Sequence, residues 1–286
     1  MYHLSEYFSQ VGHRLFGANS LDCFDLDFEN DSKLFIDPTK IALSNNNMFD
    51  ENSACTRIYS FFEHLLDLKR AGQQNVINNI ISNIHEINDT HLGLSKDQPK
   101  GKGPSYSALG ESIDTIQKIV NQAAITGDLP KSLLFDIFVP NFSDDSFSDV
   151  ITNIIYHELN EYTLNVINAY HLNIPVHQCA PNSHHYWNNN QWENLVTQDF
   201  LFNGKTIVFI PNDFVIKNYD FSSNKYMNST IVEYVKKDWE AKNPDSKTTK
   251  DDIYKLIRSN YTSLTNKQIE ETYTMQDTQL LTQFLN

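Results

Sequence analysis

Apolar side chains along the chain fall into runs of two kinds, and each kind predicts an element. Leu4, Tyr7, Phe8, Val11 and Leu15 recur at helical spacing and stop at Gly17, which predicts a short helix over residues 2–16. Lys33-Leu34-Phe35-Ile36 is a brief apolar run closed by Asp37-Pro38. Proline continues neither a helix nor a central strand, so the run reads as a strand ending in a polar turn.

Ile58, Phe61, Phe62, Leu65, Leu66 and Leu68 build a broad apolar face over residues 53–70, ended by Gly72, and residues 76–87 repeat the habit more weakly. Two helices are predicted there. A polar loop over residues 91–107 carries Gly93, Pro99, Gly101, Gly103 and Pro104, and a further helical segment follows over residues 109–124. The run from Leu133 to Val139, bounded by Pro130 and Pro140, is short enough to read as a buried strand. Beyond it, Phe147, Val150, Ile151, Ile154, Ile155, Leu159, Tyr162, Val166, Ile167 and Tyr170 keep a period of about 3.6 residues, which predicts one long helix.

Phe200 to Phe202, Asn203-Gly204 and Lys205 to Ile210 read as a β-hairpin, because Asn-Gly tolerates the positive φ angles of a type I′ turn. Residues 228–241, 249–260 and 265–284 look helical. The fold class expected from this pattern is α/β: a mixed central sheet with flanking helices, helix-rich, with a helical C-terminal region. An α/β core over residues 1–227 and a helical layer over residues 228–286 divide the chain.

Composition narrows the function. The 286 residues are 40% hydrophobic and 20% charged, ordinary for a globular chain. A net charge of −14, from 22 Lys and Arg against 36 Asp and Glu, repels a phosphate backbone at long range and excludes a generic nucleic-acid coating protein. A nuclease stays compatible, through a local basic channel or divalent metals. No signal peptide or membrane span is read, and Cys23, Cys55 and Cys179 fit neither a disulfide framework nor a zinc ribbon, so a cytoplasmic protein with reduced thiols is expected.

Three polar clusters are candidates for chemistry. Asp37, with Lys40 nearby and Asp22, Asp25, Asp27 and Glu29 close in sequence, stands at a strand end, where a divalent-metal phosphodiesterase holds carboxylates. The competing reading is a turn Asp and a surface Lys. The loop from Gly93 to Ser105 places Lys96, Lys100 and Lys102 among glycines, a cradle for phosphate in which Lys100, Gly101, Lys102 and Gly103 are the binding candidates. Walker A spacing is absent, and a solvated loop is the alternative. In Asp144-Asp145-Ser146-Phe147-Ser148-Asp149, acids and a capping Ser suit a helix N-terminus on electrostatic grounds alone. Asp145, Asp149 and Asn153 nevertheless share one helix face at i, i+4 spacing, as a metal site needs.

Two motifs mislead. His157-Glu158-Leu159-Asn160-Glu161 begins like a zinc-protease helix but has Glu161 where the second His belongs. His177, Cys179, His184 and His185 are zinc-ligand types at a spacing that fits no common module.

Leu34-Phe35-Ile36-Asp37-Pro38, the Leu92-Gly93 to Gly101-Lys102-Gly103 loop, Asp145-Ser146-Phe147-Ser148-Asp149 with Thr152-Asn153, Tyr162-Thr163 and Ile207-Val208-Phe209-Ile210-Pro211 together resemble an uncharacterised family of bacterial proteins. The resemblance spans most of the chain. It implies a bacterial cytoplasmic origin, a role in defence against phage, and convergence of Asp37, the glycine loop and the Asp145/Asp149 pair, with no named activity. The pattern has Lys after the equivalent of Pro211; Asn212 stands there in this chain, so no catalytic lysine is assigned.

The expectation drawn from these residues is a metal-dependent phosphodiesterase, most specifically a nuclease. Asp37, Glu86, Asp145 and Asp149 are the candidate catalytic acids, with Asp37, Asp145 and Asp149 on Mg²⁺ or Mn²⁺ that activates water and neutralises charge on the attacked phosphate. Nucleic acid or a nucleotide is the expected substrate. The alternatives are a non-enzymatic binding or regulatory subunit with a protein partner, in which the clusters are caps and turns, and an enzyme on a soluble nucleotide gripped by the glycine loop.

Overall fold

The longest apolar stretches of the chain become helices that bury one another, and the strands are short. The computed structural model of the protein describes residues 3–10, 23–93, 107–172, 175–180, 183–244 and 247–286. After α1 (Leu4–Gln10) comes β1 (Phe35–Ile36), then α2 (Pro38–Leu43), capped by the Asp37 carboxylate, which accepts from the Thr39 N–H. Six helices follow: α3 (Glu51–Arg70), α4 (Gln74–Ile81), α5 (Ser107–Gln122), α6 (Asp128–Phe138), α7 (Asp144–Ile154) and α8 (Tyr156–Ala169).

The strands β2 (Val176–Gln178), β3 (His185–Asn188), β4 (Gln191–Asn194), β5 (Gln198–Phe202), β6 (Lys205–Ile207) and β7 (Val215–Ile216) come next. The chain ends in α9 (Ser223–Tyr226), which runs through a π-helical turn (Met227–Ile231) into α10 (Val232–Lys242), then α11 (Lys250–Asn260), α12 (Asn266–Gln276) and α13 (Gln279–Leu285). The protein is thus helix-rich α/β with a helical C-terminal region. Among the described residues the strands are shared among three small antiparallel sheets, β1-β7, β2-β5-β6 and β3-β4, rather than gathered in one central sheet. Among the described residues, no helix is long and apolar enough to cross a membrane.

The run from Leu133 to Val139 is a correction: it is not a strand but most of α6. Pro130 sits in the first turn of the helix, where its missing N–H costs nothing. The run is apolar on every side because α6 packs against α3, α5, α7 and α12, and a helix buried all round loses the periodicity that would identify it.

The predicted long helix is two helices, α7 and α8, divided at Ile155 (φ −102, ψ 18). Thr152 Oγ1 donates to the Ser148 carbonyl and Asn153 Nδ2 to the Asp149 carbonyl, two successive side-chain bonds to the preceding turn of the kind that bend helices. The weaker segment over residues 76–87 is helical only to Ile81, and residues 265–284 break between α12 and α13. For the first predicted helix, Leu4–Gln10 is observed, and residues 11–16 lie outside the described residues. The Asn203-Gly204 hairpin is present, with both residues at positive φ (49° and 79°) joining β5 to β6.

Candidate functional site

The segments that carry the sequence motifs are stitched together by single hydrogen bonds from buried hydroxyls and main-chain groups. The Ile36 N–H donates to Ser148 Oγ (2.9 Å), and Tyr219 Oη donates to the Ile36 carbonyl (2.7 Å), so β1 is locked to the first half of α7. The Phe209 N–H donates to Thr163 Oγ1 (2.8 Å), and the Val208 N–H to the Asp89 carbonyl (2.9 Å). Gly93 and Ser32 exchange a further pairing, the Gly93 N–H donating to the Ser32 carbonyl (2.9 Å). A buried donor left unpaired costs roughly 1–3 kcal/mol, which accounts for a small hydroxyl at Ser148 and at Thr163.

Gly93 stands against α7. Its φ is +126°, and a Cβ placed on it would lie 2.8 Å from Asp145 Oδ1, so the carboxylate fills space that only a glycine leaves open. Asp145 and Asp149 stand one turn apart on the same helix, and Asn153, one turn further, clamps the adjoining segment by donating to the His85 carbonyl (2.7 Å). Glu86 follows His85 directly and is exposed. Two hard carboxylates on one face suit Mg²⁺, which is normally held by one or two protein carboxylates together with waters and substrate phosphates. Among the described residues, no group of three His, Cys, Asp or Glu side chains is close enough to hold a metal ion. The proposed phosphate ligands Lys100, Gly101, Lys102 and Gly103 lie outside the described residues, as does Asp22.

Gly93→Ala is expected to destabilise the protein by about 1–3 kcal/mol, the usual cost of forcing a side chain into this backbone region. Part of that loss is shared with the Asp145 contact. Thermal denaturation of Gly93→Ala, Asp145→Ala and the double variant reads it, and the double variant should lose less than the sum of the two.

Asp37 takes a different place. Its Oδ1 accepts from both the N–H and the hydroxyl of Thr39 (2.8 Å each), its own N–H donates to the Phe214 carbonyl, and the carboxylate is 1% exposed. It caps α2, and burial raises its pKa. Among the described residues no contact joins it to Asp145; the charges it feels are Lys40, Asp220 and Asp136. The neighbouring acids Asp25 and Asp27 are likewise bonded locally, Asp25 to Ser5 and Asp27 to Glu29 and Asn30.

A buried charge cluster that the sequence pattern did not reveal joins α6, α7 and α12. Lys267 donates to the carbonyls of Asp136 and Phe142, and the carboxylates of Asp136, Glu270 and Asp144 surround it electrostatically. Asp136 Oδ2, Glu270 Oε2 and Asp37 Oδ2 are buried without a hydrogen-bond partner among the described residues. Burial pushes the Asp136 carboxyl up to about 7 and the Glu270 carboxyl up to about 8, with Lys267 opposing both, and burial lowers the Lys267 pKa.

An acid whose pKa is raised on folding stabilises the fold fully below its unfolded value and loses that contribution as pH rises through the folded value. For Glu270 the window runs from the ordinary glutamate value of 4.5 to about 8. Glu270→Gln removes this titration and should therefore gain on the wild type between pH 5 and pH 8.5, by at least ~1 kcal/mol or roughly 2–4 °C of melting temperature. Melting curves of the two proteins at both pH values check it; taking the difference cancels the histidines, such as His91 and His185, whose pKa burial lowers.

The two misleading motifs also find partners. Glu158 is held by Arg57, whose Nε donates to Oε1 at 2.6 Å while Nη1 donates to the Trp187 carbonyl (2.8 Å) and to Asn188 Oδ1 (2.6 Å). Cys179 bonds Asp199, and its thiol is pushed up to about 12 by burial and then by that carboxylate. His184 stacks on Tyr156 at 4.5 Å, and Tyr156 Oη donates to Asp89 Oδ2 at 2.6 Å. His185 packs on His85 and Trp192 instead. The sequence pattern did not single out Asp89, His91 or Tyr156; for Asp89 and His91 the signal was a short polar stretch, Asn88-Asp89-Thr90-His91, set between apolar Ile87 and Leu92.

A family model described as a domain of unknown function (DUF8370) matches residues 16–222, which include β1, Gly93, α7, α8 and the β5-β6 hairpin and leave α9 to α13 outside the match. No curated protein and no solved structure matches the chain.

Proposed function

We propose that this chain, which belongs to the DUF8370 family, is a metal-dependent phosphodiesterase acting on nucleic acid, with its site at Asp145 and Asp149 on α7, beside Gly93. The observation that supports the reading is the position of Asp145 Oδ1 in the space a Cβ on Gly93 would take, which sets Gly93 beside the helix turn that carries Asp145. Asp145 and Asp149 are the residues that would hold Mg²⁺ or Mn²⁺; Glu86 follows His85, whose carbonyl Asn153 clamps, and forms no three-acid group with them among the described residues. The ion supplies charge neutralisation at the attacked phosphate. Asp37 leaves the ligand set and becomes the cap that fixes β1 and α2 behind the site.

Three free thiols, Cys23, Cys55 and Cys179, fit a reducing, cytoplasmic setting. A role in phage defence, with foreign nucleic acid as substrate, rests on the resemblance alone. A non-enzymatic subunit docking a protein partner is the second reading. It is favoured by the use of Asp37, Ser148, Asn153 and Thr163 in scaffold contacts.

Calorimetric titration with Mn²⁺ and hydrolysis of bis(p-nitrophenyl) phosphate separate the two readings. The wild type should bind the ion and release nitrophenol, and Asp145→Asn/Asp149→Asn should lose both while keeping its melting temperature. A wild type that binds no Mn²⁺ and hydrolyses nothing favours the subunit.

A further inference from the structure

The turn that joins α6 to α7 carries two carbonyls whose helical donors are missing or engaged. A helix gives the Asp136 carbonyl the N–H four residues on, and Pro140 stands there without one. The Phe142 carbonyl lies just before the Ser143 N-cap, and the N–H four residues beyond it, that of Ser146, donates to Ser143 Oγ instead (3.2 Å). Between them Asn141 takes left-handed geometry (φ 56°), and the two carbonyls meet one donor. Lys267 Nζ donates to both, at 2.8 Å to Phe142.

This ammonium comes from α12, which lies outside the residues matched by the family model and packs on α5, α6 and α9. Ser223 Oγ donates to Glu270 Oε1 (2.9 Å), and Tyr226 Oη bonds Thr274 Oγ1 (2.7 Å), so α12 is fastened to its neighbour α9 and presents Lys267 from a packed layer. On its other side, Phe142 sets its ring 6.2 Å from that of Phe147, at 68°, and Phe147 is fully buried and makes the first main-chain bond of α7, to the Ser143 carbonyl (2.9 Å). Asp145 stands in that same turn, between Ser143 and Phe147.

The geometry points to a clamp: Lys267 is a positioning residue through which the C-terminal helices fix the α6–α7 turn and, with it, the first turn of α7 that carries Asp145. The inference rests on the phosphodiesterase reading for what Asp145 holds, and on the bonds of the turn for the clamp itself.

Hydrogen exchange of the full chain tests it, in the wild type, Lys267→Ala and Thr115→Val. In Lys267→Ala the Ser146 and Phe147 amides should exchange roughly 5- to 150-fold faster relative to those of α3, the range for a buried acceptor that loses its donor. Thr115→Val removes a different bond to α12, from Thr115 Oγ1 to Glu271 Oε1 (3.4 Å), and should leave that turn protected. Propylammonium, which reproduces the lysine beyond Cβ, should restore protection to Lys267→Ala, whereas tetramethylammonium, a cation without N–H donors, should not. If Lys267→Ala fails to fold alone, recovery of a cooperative melt in propylammonium and not in tetramethylammonium supports the clamp. Unchanged exchange at Ser146 and Phe147, equal loosening in Thr115→Val, or equal action of the two cations overturns it. Calorimetry with Mn²⁺ reads the link to the site: Lys267→Ala should bind the ion more weakly and regain affinity in propylammonium, and an affinity that the variant retains overturns the positioning of Asp145. A wild type that binds no Mn²⁺ removes the phosphodiesterase reading, and the exchange result still decides the clamp.

Discussion

Replacing Lys267 with Met is expected to cost the fold about 3–5 kcal/mol near pH 8, the usual result of removing one partner from a buried charge group. Met keeps most of the volume of the lysine stem, so the loss is electrostatic and polar rather than a cavity. Two carbonyls, those of Asp136 and Phe142, lose their donor, and Asp136, Asp144 and Glu270 lose a cation that faces all three. At pH 5.5 the effect shrinks, because carboxyls whose pKa lies near 7 and 8 take up protons and need no counter-charge. Urea denaturation at both pH values measures it. A change below ~0.5 kcal/mol at pH 8, the size of an ordinary surface substitution, would remove the cluster from the stability of the fold.

Arg57→Ala is expected to cost a similar amount, about 3–5 kcal/mol, for a second buried charge. Glu158 is 3% exposed, and among the described residues its Oε2 has no hydrogen-bond partner, so loss of the guanidinium leaves the carboxylate in the core with only His157 Nδ1 near, 3.4 Å from Oε1. The same substitution frees the Trp187 carbonyl and removes the cation from above the Tyr186 ring, 4.8 Å away. The β3-β4 hairpin then loses one of its ties to α3, while Trp187 Nε1 still donates to Ser60 Oγ. Glu158→Leu combined with Arg57→Met should recover much of the loss, since a packed apolar pair is often no worse than a buried ion pair. Equal loss in the single and double variants would show that Arg57 acts through packing alone.

What could be read from the sequence was what local chemistry decides. The apolar face of α3, with Ile58, Phe61, Phe62, Leu65 and Leu66 fully or almost fully buried, follows from spacing, and the β5-β6 turn follows from the backbone preferences of Asn203-Gly204. The β3-β4 turn is built in the same way, with Asn189 and Asn190 at φ 48° and 61°, yet two asparagines in a run of three look like composition rather than a turn. For α6, the pattern itself is silent: a run buried on every side has no period, and Pro130 closes a strand or opens a helix equally well.

The site divides along the same line. Asp145 and Asp149 were readable as one helix face, whereas the approach of Gly93 to Asp145 joins residues 52 positions apart in the chain and has no local signature. Asp37 looked like a ligand because a carboxylate at a strand end can be one. Its Thr39 bonds make it a cap, which the Asp-Pro turn equally allowed. Lys267 meets the Asp136 carbonyl across 131 residues, and only the packing of α12 on α6 brings them together. A single Asp inside Leu133-Leu134-Phe135-Asp136-Ile137-Phe138-Val139 was the available hint, since a lone carboxylate in such a run must find a partner or a proton.

The most direct measurement is cleavage of single- and double-stranded DNA and RNA by the purified protein with Mg²⁺ or Mn²⁺, beside the Asp145→Asn/Asp149→Asn variant. Cleavage by the wild type, reduced at least ~100-fold in a variant of unchanged melting temperature, is the expected result; removal of a metal that stabilises transition-state charge by several kcal/mol produces a loss of that order. Cleavage that the variant retains, or its absence on every substrate with either ion, contradicts a phosphodiesterase site at Asp145 and Asp149.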